Sequence, residues 1–144
     1  MRDAIFGNYG RGTPTSGTSA PNGQQRSVPL ANVEMGGDIT YDAVNNGFVV
    51  PSGTLVEITG ITQSASASQN DIRFIDSPTS LSNIPGLTEI PASTGGTGVN
   101  PVSIFQGIYE NDTGSDVVIG IGVSGGGNTG NSNATGYLMV RKIN

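Results

Sequence analysis

Glycine and proline interrupt this sequence so often that little room is left for helix. The 144 residues hold 23 Gly and 8 Pro. Glycine weakens a regular element by its backbone entropy, and proline removes a hydrogen-bond donor. The stretches between these interruptions have the length of strands, and their apolar residues alternate. Asp116–Val123 is the clearest case, with Val117, Ile119, Ile121 and Val123 on one face. The opposite face holds Val118, Gly120 and Gly122, flat enough for close approach by another strand or subunit.

The same pattern predicts strands over Ile39–Val44, Phe48–Val50, Thr54–Thr62, Asp71–Asp76, Val102–Tyr109 and Thr135–Ile143. Asn45-Asn46-Gly47 and Pro51-Ser52-Gly53 are the turn signals between the first three. In Thr135–Ile143 both faces carry apolar groups, Tyr137, Met139 and Ile143 against Leu138 and Val140, so burial on both sides is expected. Residues 77–101 read as a long loop; Leu81, Ile84, Leu87 and Ile90 recur every three residues as anchors, since Pro85 and Gly86 argue against a helix. Roughly seven or eight strands predict an all-β fold, an antiparallel β-sandwich of jelly-roll type, as a body over residues 38–144.

Ahead of that body, residues 1–37 read as an extended arm. The segment 7–29, GNYGRGTPTSGTSAPNGQQRSVP, has almost no apolar side chains. It is expected to bury no core and to stay mobile in the free monomer. Ala4, Ile5, Phe6 and Tyr9 form a small apolar cluster before it. Charge divides at the same place: residues 1–30 carry Arg2, Arg11 and Arg26 against Asp3, whereas residues 31–144 carry Arg73, Arg141 and Lys142 against ten carboxylates. A weakly basic arm on an acidic body suits docking on an acidic protein surface, a neighbouring copy included. Three scattered arginines are too few for a nucleic-acid patch, so no nucleic-acid partner is expected.

The sequence has neither Cys nor His. Thiolate nucleophiles, His-ligated zinc and imidazole acid–base chemistry are therefore closed to it. The expectation is a non-enzyme with no catalytic residues, no metal and no cofactor. The start, MRDAIFGNYGRGTP, has no apolar run of signal-peptide kind, and no stretch reaches membrane-spanning length. Synthesis in a cytoplasm and no membrane partner are expected.

Four motifs weigh less than their letters suggest. Gly120-Ile121-Gly122-Val123-Ser124-Gly125 spells the dinucleotide fingerprint, but GGNTGNSNATG follows it in place of a helix. That polar stretch, Ser124–Gly136, reads as a hairpin connection whose Ser124, Asn128, Asn131 and Asn133 form a candidate exposed binding loop. Asn111–Asp116 offers oxygen ligands without EF-hand spacing and reads as an Asx/Gly turn. Glu57 with Glu110, or Asp71 with Asp76, resembles a glycosidase pair only in residue type; solvated strand acids are the simpler reading.

The whole layout resembles the small virion proteins of tailed bacteriophages. The features are a short Met-initiated chain without Cys or His, a Gly/Ser/Thr/Pro arm, a β-sandwich body and a last strand in GYLMVRKIN. In particular it is similar to capsid decoration (cement) proteins and to jelly-roll tips of head or tail fibres. The resemblance implies homotrimers on the capsid surface, with the major capsid protein and other copies of the chain as partners. Arms would lie across neighbouring subunits and lock them together. No family motif fixes the contacts; by position in the arm they are Ile5, Phe6 and Tyr9 as apolar anchors and Arg2, Arg11 and Arg26 as ionic ones. The alternative is a fibre tip that binds a host receptor or glycan.

Overall fold

Alternation along the strands decides which side chains go inside. In the computed structural model, which describes residues 7–64, 68–91, 102–125 and 130–143, Ile119, Ile121 and Val123 are fully buried. Leu138 and Val140, and Val56 and Ile58, are equally buried on their strands. Each such side chain contributes about 1.5–3 kcal/mol by leaving water, so together they dominate the fold.

The described residues form thirteen strands. These are β1 (Tyr9–Pro14), β2 (Ser19–Ala20), β3 (Gln25–Val28), β4 (Leu30–Gly36), β5 (Thr40–Asp42), β6 (Gly47–Val50) and β7 (Leu55–Ser64). They continue with β8 (Ser68–Ser77), β9 (Ser80–Ser82), β10 (Thr88–Pro91), β11 (Val102–Glu110), β12 (Val117–Gly125) and β13 (Gly130–Lys142). The strand pairs are antiparallel and make two sheets. The larger runs β10-β11-β7-β13-β1-β4, with β2 also on β13; the smaller runs β5-β6-β12-β8-β9, with β3 also on β12. Their inner faces share one hydrophobic cluster, and the expected β-sandwich is what forms.

The two partners on one edge of β12 divide it lengthwise: β6 takes Val117–Gly120 and β3 takes Ile121–Ser124. Along β13, β1 pairs with Leu138–Arg141 and β2 with Gly130–Asn131. The leading segment is thus stitched into both sheets. This differs from the mobile arm expected over residues 7–29. Those residues need few apolar side chains because backbone pairing and small size do the work. Gly10 and Gly12 face inward, and a Cβ at Gly10 would stand 2.8 Å from Phe48 Cε1, so the missing side chain is the space the Phe48 ring fills. Ala20, Val28 and Leu30 complete the burial.

The boundary expected at residues 37 and 38 marks a turn within one sandwich. Gly37, at φ +66°, hands the chain from β4 in the larger sheet to β5 in the smaller. Asn46, at φ +62°, makes the hairpin between β5 and β6, and its amide donates to Ser27 Oγ at 2.9 Å. Asn111 is fully buried and donates from Nδ2 to the carbonyls of Val50 and Ser115, both at 2.9 Å. Its Oδ1 accepts from Thr113 Oγ1 at 2.8 Å, so the Asx turn uses its own oxygens.

Three packing expectations meet a different outcome. The flat side of β12 is filled by the chain itself: a Cβ at Gly120 would stand 2.9 Å from Ile75 Cγ1, and one at Gly122 would strike Leu81 Cδ2. Residues 77–91 contain β9 and β10, and of the four anchors Ile84 is buried while Ile90 is 56% exposed. The last strand, finally, is buried on one side only. Leu138 and Val140 are inside, but Tyr137 and Met139 are half-buried and Ile143 is exposed.

Candidate functional site

The side of β13 left uncovered belongs to the outer face of the larger sheet. Register places its residues in rows. Ile90, Ile104, Ile61 and Tyr137 stand opposite one another across β10, β11, β7 and β13, an unbroken apolar row over four strands. The next row is Thr88, Gln106, Thr59, Met139, Arg11 and Glu34. The row after that holds Ile108, Glu57, Arg141 and Tyr9. Ile108 is 61% exposed and Ile104 41% exposed, an unusual state for side chains of this size.

The charges on this face are held locally. Arg141 Nη2 pairs with Glu57 Oε2 at 2.5 Å across β7 and β13. The Arg11 guanidinium carbon lies 5.7 Å from the centre of the Tyr137 ring, within cation–π range. Around them Tyr9, Arg11, Glu34, Tyr137, Met139 and Arg141 line a groove of about 470 Å³. The face combines an apolar row with tyrosine, arginine and the acids Glu34, Glu57 and Glu110 around it.

Of the residues expected to act in an arm, the described ones divide between the two sheets, Tyr9 and Arg11 lining the same groove and Arg26 lying apart. Arg2, Ile5 and Phe6 lie outside the described residues. Tyr9 is buried at the start of β1, and Arg11 sits on the outer face described above. Arg26 is on β3 in the other sheet, donating to Gln25 O at 2.7 Å and to Gln24 Oε1 at 2.8 Å. It borders a polar recess of about 400 Å³ with Gln24, Gln25, Thr79 and Ser80.

The candidate loop is placed differently from expectation. Ser124 pairs with Gln25 and Gln69 inside the smaller sheet. Asn131 pairs with Ser19, and Asn133 lies within β13; Asn128 is outside the described residues. Polar letters hid this strand because its pairing partners, β2 and β7, are far away in sequence.

Among the acids, Glu57 is occupied by Arg141, and Asp71 is 4% exposed instead of solvated. Asp71 Oδ2 accepts from Arg73 Nη2 at 2.5 Å, while its Oδ1 has no partner. The carboxylate borders an open recess of about 190 Å³ lined also by Arg73, Asn83, Leu87, Glu89 and Phe105. Elsewhere in the core, burial and then the Asp112 charge push the Tyr109 phenol up, and its ring centre lies 5.0 Å from that of Phe74. No protein-family model matches the chain, and no curated protein matches it.

Proposed function

We propose that this chain is a structural virion protein that decorates a capsid: it binds the outer surface of the major capsid protein shell and stabilises it. The carrying observation is the uncovered outer face of the larger sheet, with Ile104 and Ile108 standing in water. Soluble monomers rarely leave such an apolar surface bare, so the chain is built to be covered by protein. The layout that resembles phage decoration proteins supplies the kind of assembly. Stabilising a shell needs a rigid brick, and pairing of Tyr9–Gly12 with Leu138–Arg141 ties the leading strand to the last one within the larger sheet. The contacts proposed for Arg2, Ile5 and Phe6 with neighbouring subunits fall on residues 1–6, outside the described residues.

The test is co-sedimentation of the purified chain with undecorated capsids, followed by heating of the complex. Saturable binding and a raised capsid disruption temperature are expected; failure of both removes the reading. A second reading, a fibre tip for a receptor or glycan, is favoured by the polar recess beside Arg26. Binding on a glycan array that is lost in Arg26→Ala, without capsid binding, would select it.

A further inference from the structure

One corner of the smaller sheet offers hydrogen-bond acceptors and almost no donors. We infer that the recess between the end of β8, the start of β12 and the β11–β12 connection binds an organic cation with N–H groups on an aliphatic stem, the chemistry of an alkylamine or a lysine side chain. The inference does not lean on the decoration reading; it stands on the contents of the recess.

The recess holds about 470 Å³, with Phe74, Val117 and Val118 on its apolar side. Its polar side is made by Asn45, Asp76, Tyr109, Thr113 and Asp116. Topology brings them together. β12 pairs with both β6 and β8, so the turn before β6 carries Asn45, and the end of β8 carries Asp76, to the first residues of β12.

The donors here are already engaged. Asn45 Nδ2 donates to Asp42 Oδ2 at 2.6 Å. The single hydroxyl hydrogen of Thr113 faces two acceptors, Asn111 Oδ1 at 2.8 Å and Ser115 O at 2.9 Å. Asp116 accepts from Ser52 N–H at 3.3 Å, and Asp76 is exposed with no hydrogen bond among the described residues. Acceptor oxygen is what remains for a ligand.

Tyr109 points to that ligand independently. It is only 8% exposed, its ring packs edge-on against Phe74, and it borders the recess. Its hydroxyl has no hydrogen-bond partner among the described residues. A buried phenol seldom goes without one, so this oxygen is available to a group entering the recess.

Charge selects the sign of that group. Arg73 is paired with Asp71, Arg141 with Glu57 and Lys142 with Asp38, while Arg11 lies over Tyr137 and Arg26 holds Gln24 and Gln25. Asp76, Asp112 and Asp116 have no ion-pair partner among the described residues. Their field reaches the recess: after burial, the Asp112 charge is what raises the Tyr109 pKa. An anion would meet carboxylates and no free donor. An alkylammonium can lay its carbons along Phe74, Val117 and Val118 and give its N–H groups to the oxygens.

The test is an amide NMR titration of the isotope-labelled full chain at neutral pH and constant ionic strength, with n-butylammonium as probe. Saturable shifts are expected at Asn45, Asp76, Thr113, Asp116 and Val117, with a dissociation constant in the millimolar range. n-Butanol keeps the stem without the charge, and tetramethylammonium keeps the charge without N–H; each should bind at least about fivefold more weakly. Asp76→Asn should weaken the probe severalfold, and Asp76→Asn with Asp116→Asn by at least about tenfold. Glu89→Gln removes the same charge from an exposed site on β10 and should leave the titration unchanged.

Shifts that do not saturate overturn the inference, as does equal binding of n-butanol or tetramethylammonium, or equal loss in Glu89→Gln. Should the double variant lack the wild-type thermal transition, Asp76→Asn alone is read by the same criteria. A peptide, acetyl-Gly-Lys-Gly-amide, separates the sources. Binding of the peptide at the same amides supports a lysine side chain as occupant; binding of n-butylammonium without the peptide supports a free amine.

Discussion

Gly10 shows how a single atom not present organises the core. The Phe48 ring, fully buried, occupies the place where a Cβ of residue 10 would be. Gly10→Ala is expected to destabilise the fold by about 1–3 kcal/mol through overpacking, read as a lower urea midpoint at unchanged slope. Adding Phe48→Leu removes the ring, so the double variant should lose less than the two single losses added together. Additive losses would show that the ring is not what fills the gap. Asp42 is a different case, held by hydrogen bonds. The Asn45 backbone N–H, the Asn45 amide and the Val44 N–H hold its carboxyl below the ordinary value of 3.8, against a smaller opposing push from burial. A carboxyl lowered in the folded state adds stability that is present above the unfolded pKa. That contribution is lost as pH falls from about 3.8 through the folded value. Asp42→Asn should therefore flatten this part of the acid denaturation curve; an unchanged slope would show that the turn does not depend on the charge.

The elements divide by how far away their partners sit. β12 and β7 were legible because their own alternation names the inner face: Ile119, Ile121 and Val123, or Val56 and Ile58. β1, β2 and β3 were not, because glycine, threonine and serine in Tyr9–Val28 spell a loop, and only pairing with β12, β13 and β4 makes them strands. The same blindness affected the flat side of β12, where Ile75 and Leu81 arrive from β8 and β9. In the candidate site, Tyr137 and Met139 were legible as apolar, but the row they join needed the register of four strands. Truncation tests the element assignment. Removing residues 1–6 should leave the thermal transition in place. Removing residues 1–30 takes out β1, β2 and β3, with Ala20 and Val28 from the core, and should abolish cooperative unfolding. If the longer deletion melts like wild type, the leading strands are not part of the sandwich.

At the scale of the whole molecule, two opposing forces act on assembly, and salt separates them. The net charge of −5 makes copies of the chain repel, while assembly through the outer sheet face, which the decoration reading proposes, would be held by Ile90, Ile104, Ile108 and Tyr137. Screening shortens the reach of exposed charges from ~10 Å at 0.1 M salt to about 3 Å at 1 M, which weakens the repulsion. The apolar contact keeps its strength under the same change, since it depends on area removed from water. Raising NaCl from 0.05 M to 0.5 M should therefore tighten self-association modestly, by less than about tenfold, since only long-range repulsion is being screened. Sedimentation equilibrium at the two salt concentrations measures it directly. Association that weakens steeply with salt would mean that ion pairs such as Arg141 with Glu57 exchange between copies and hold the assembly. In that case the isoleucine row would be a bystander, and the contact would lie on the charged part of the sheet, over β7, β13, β1 and β4.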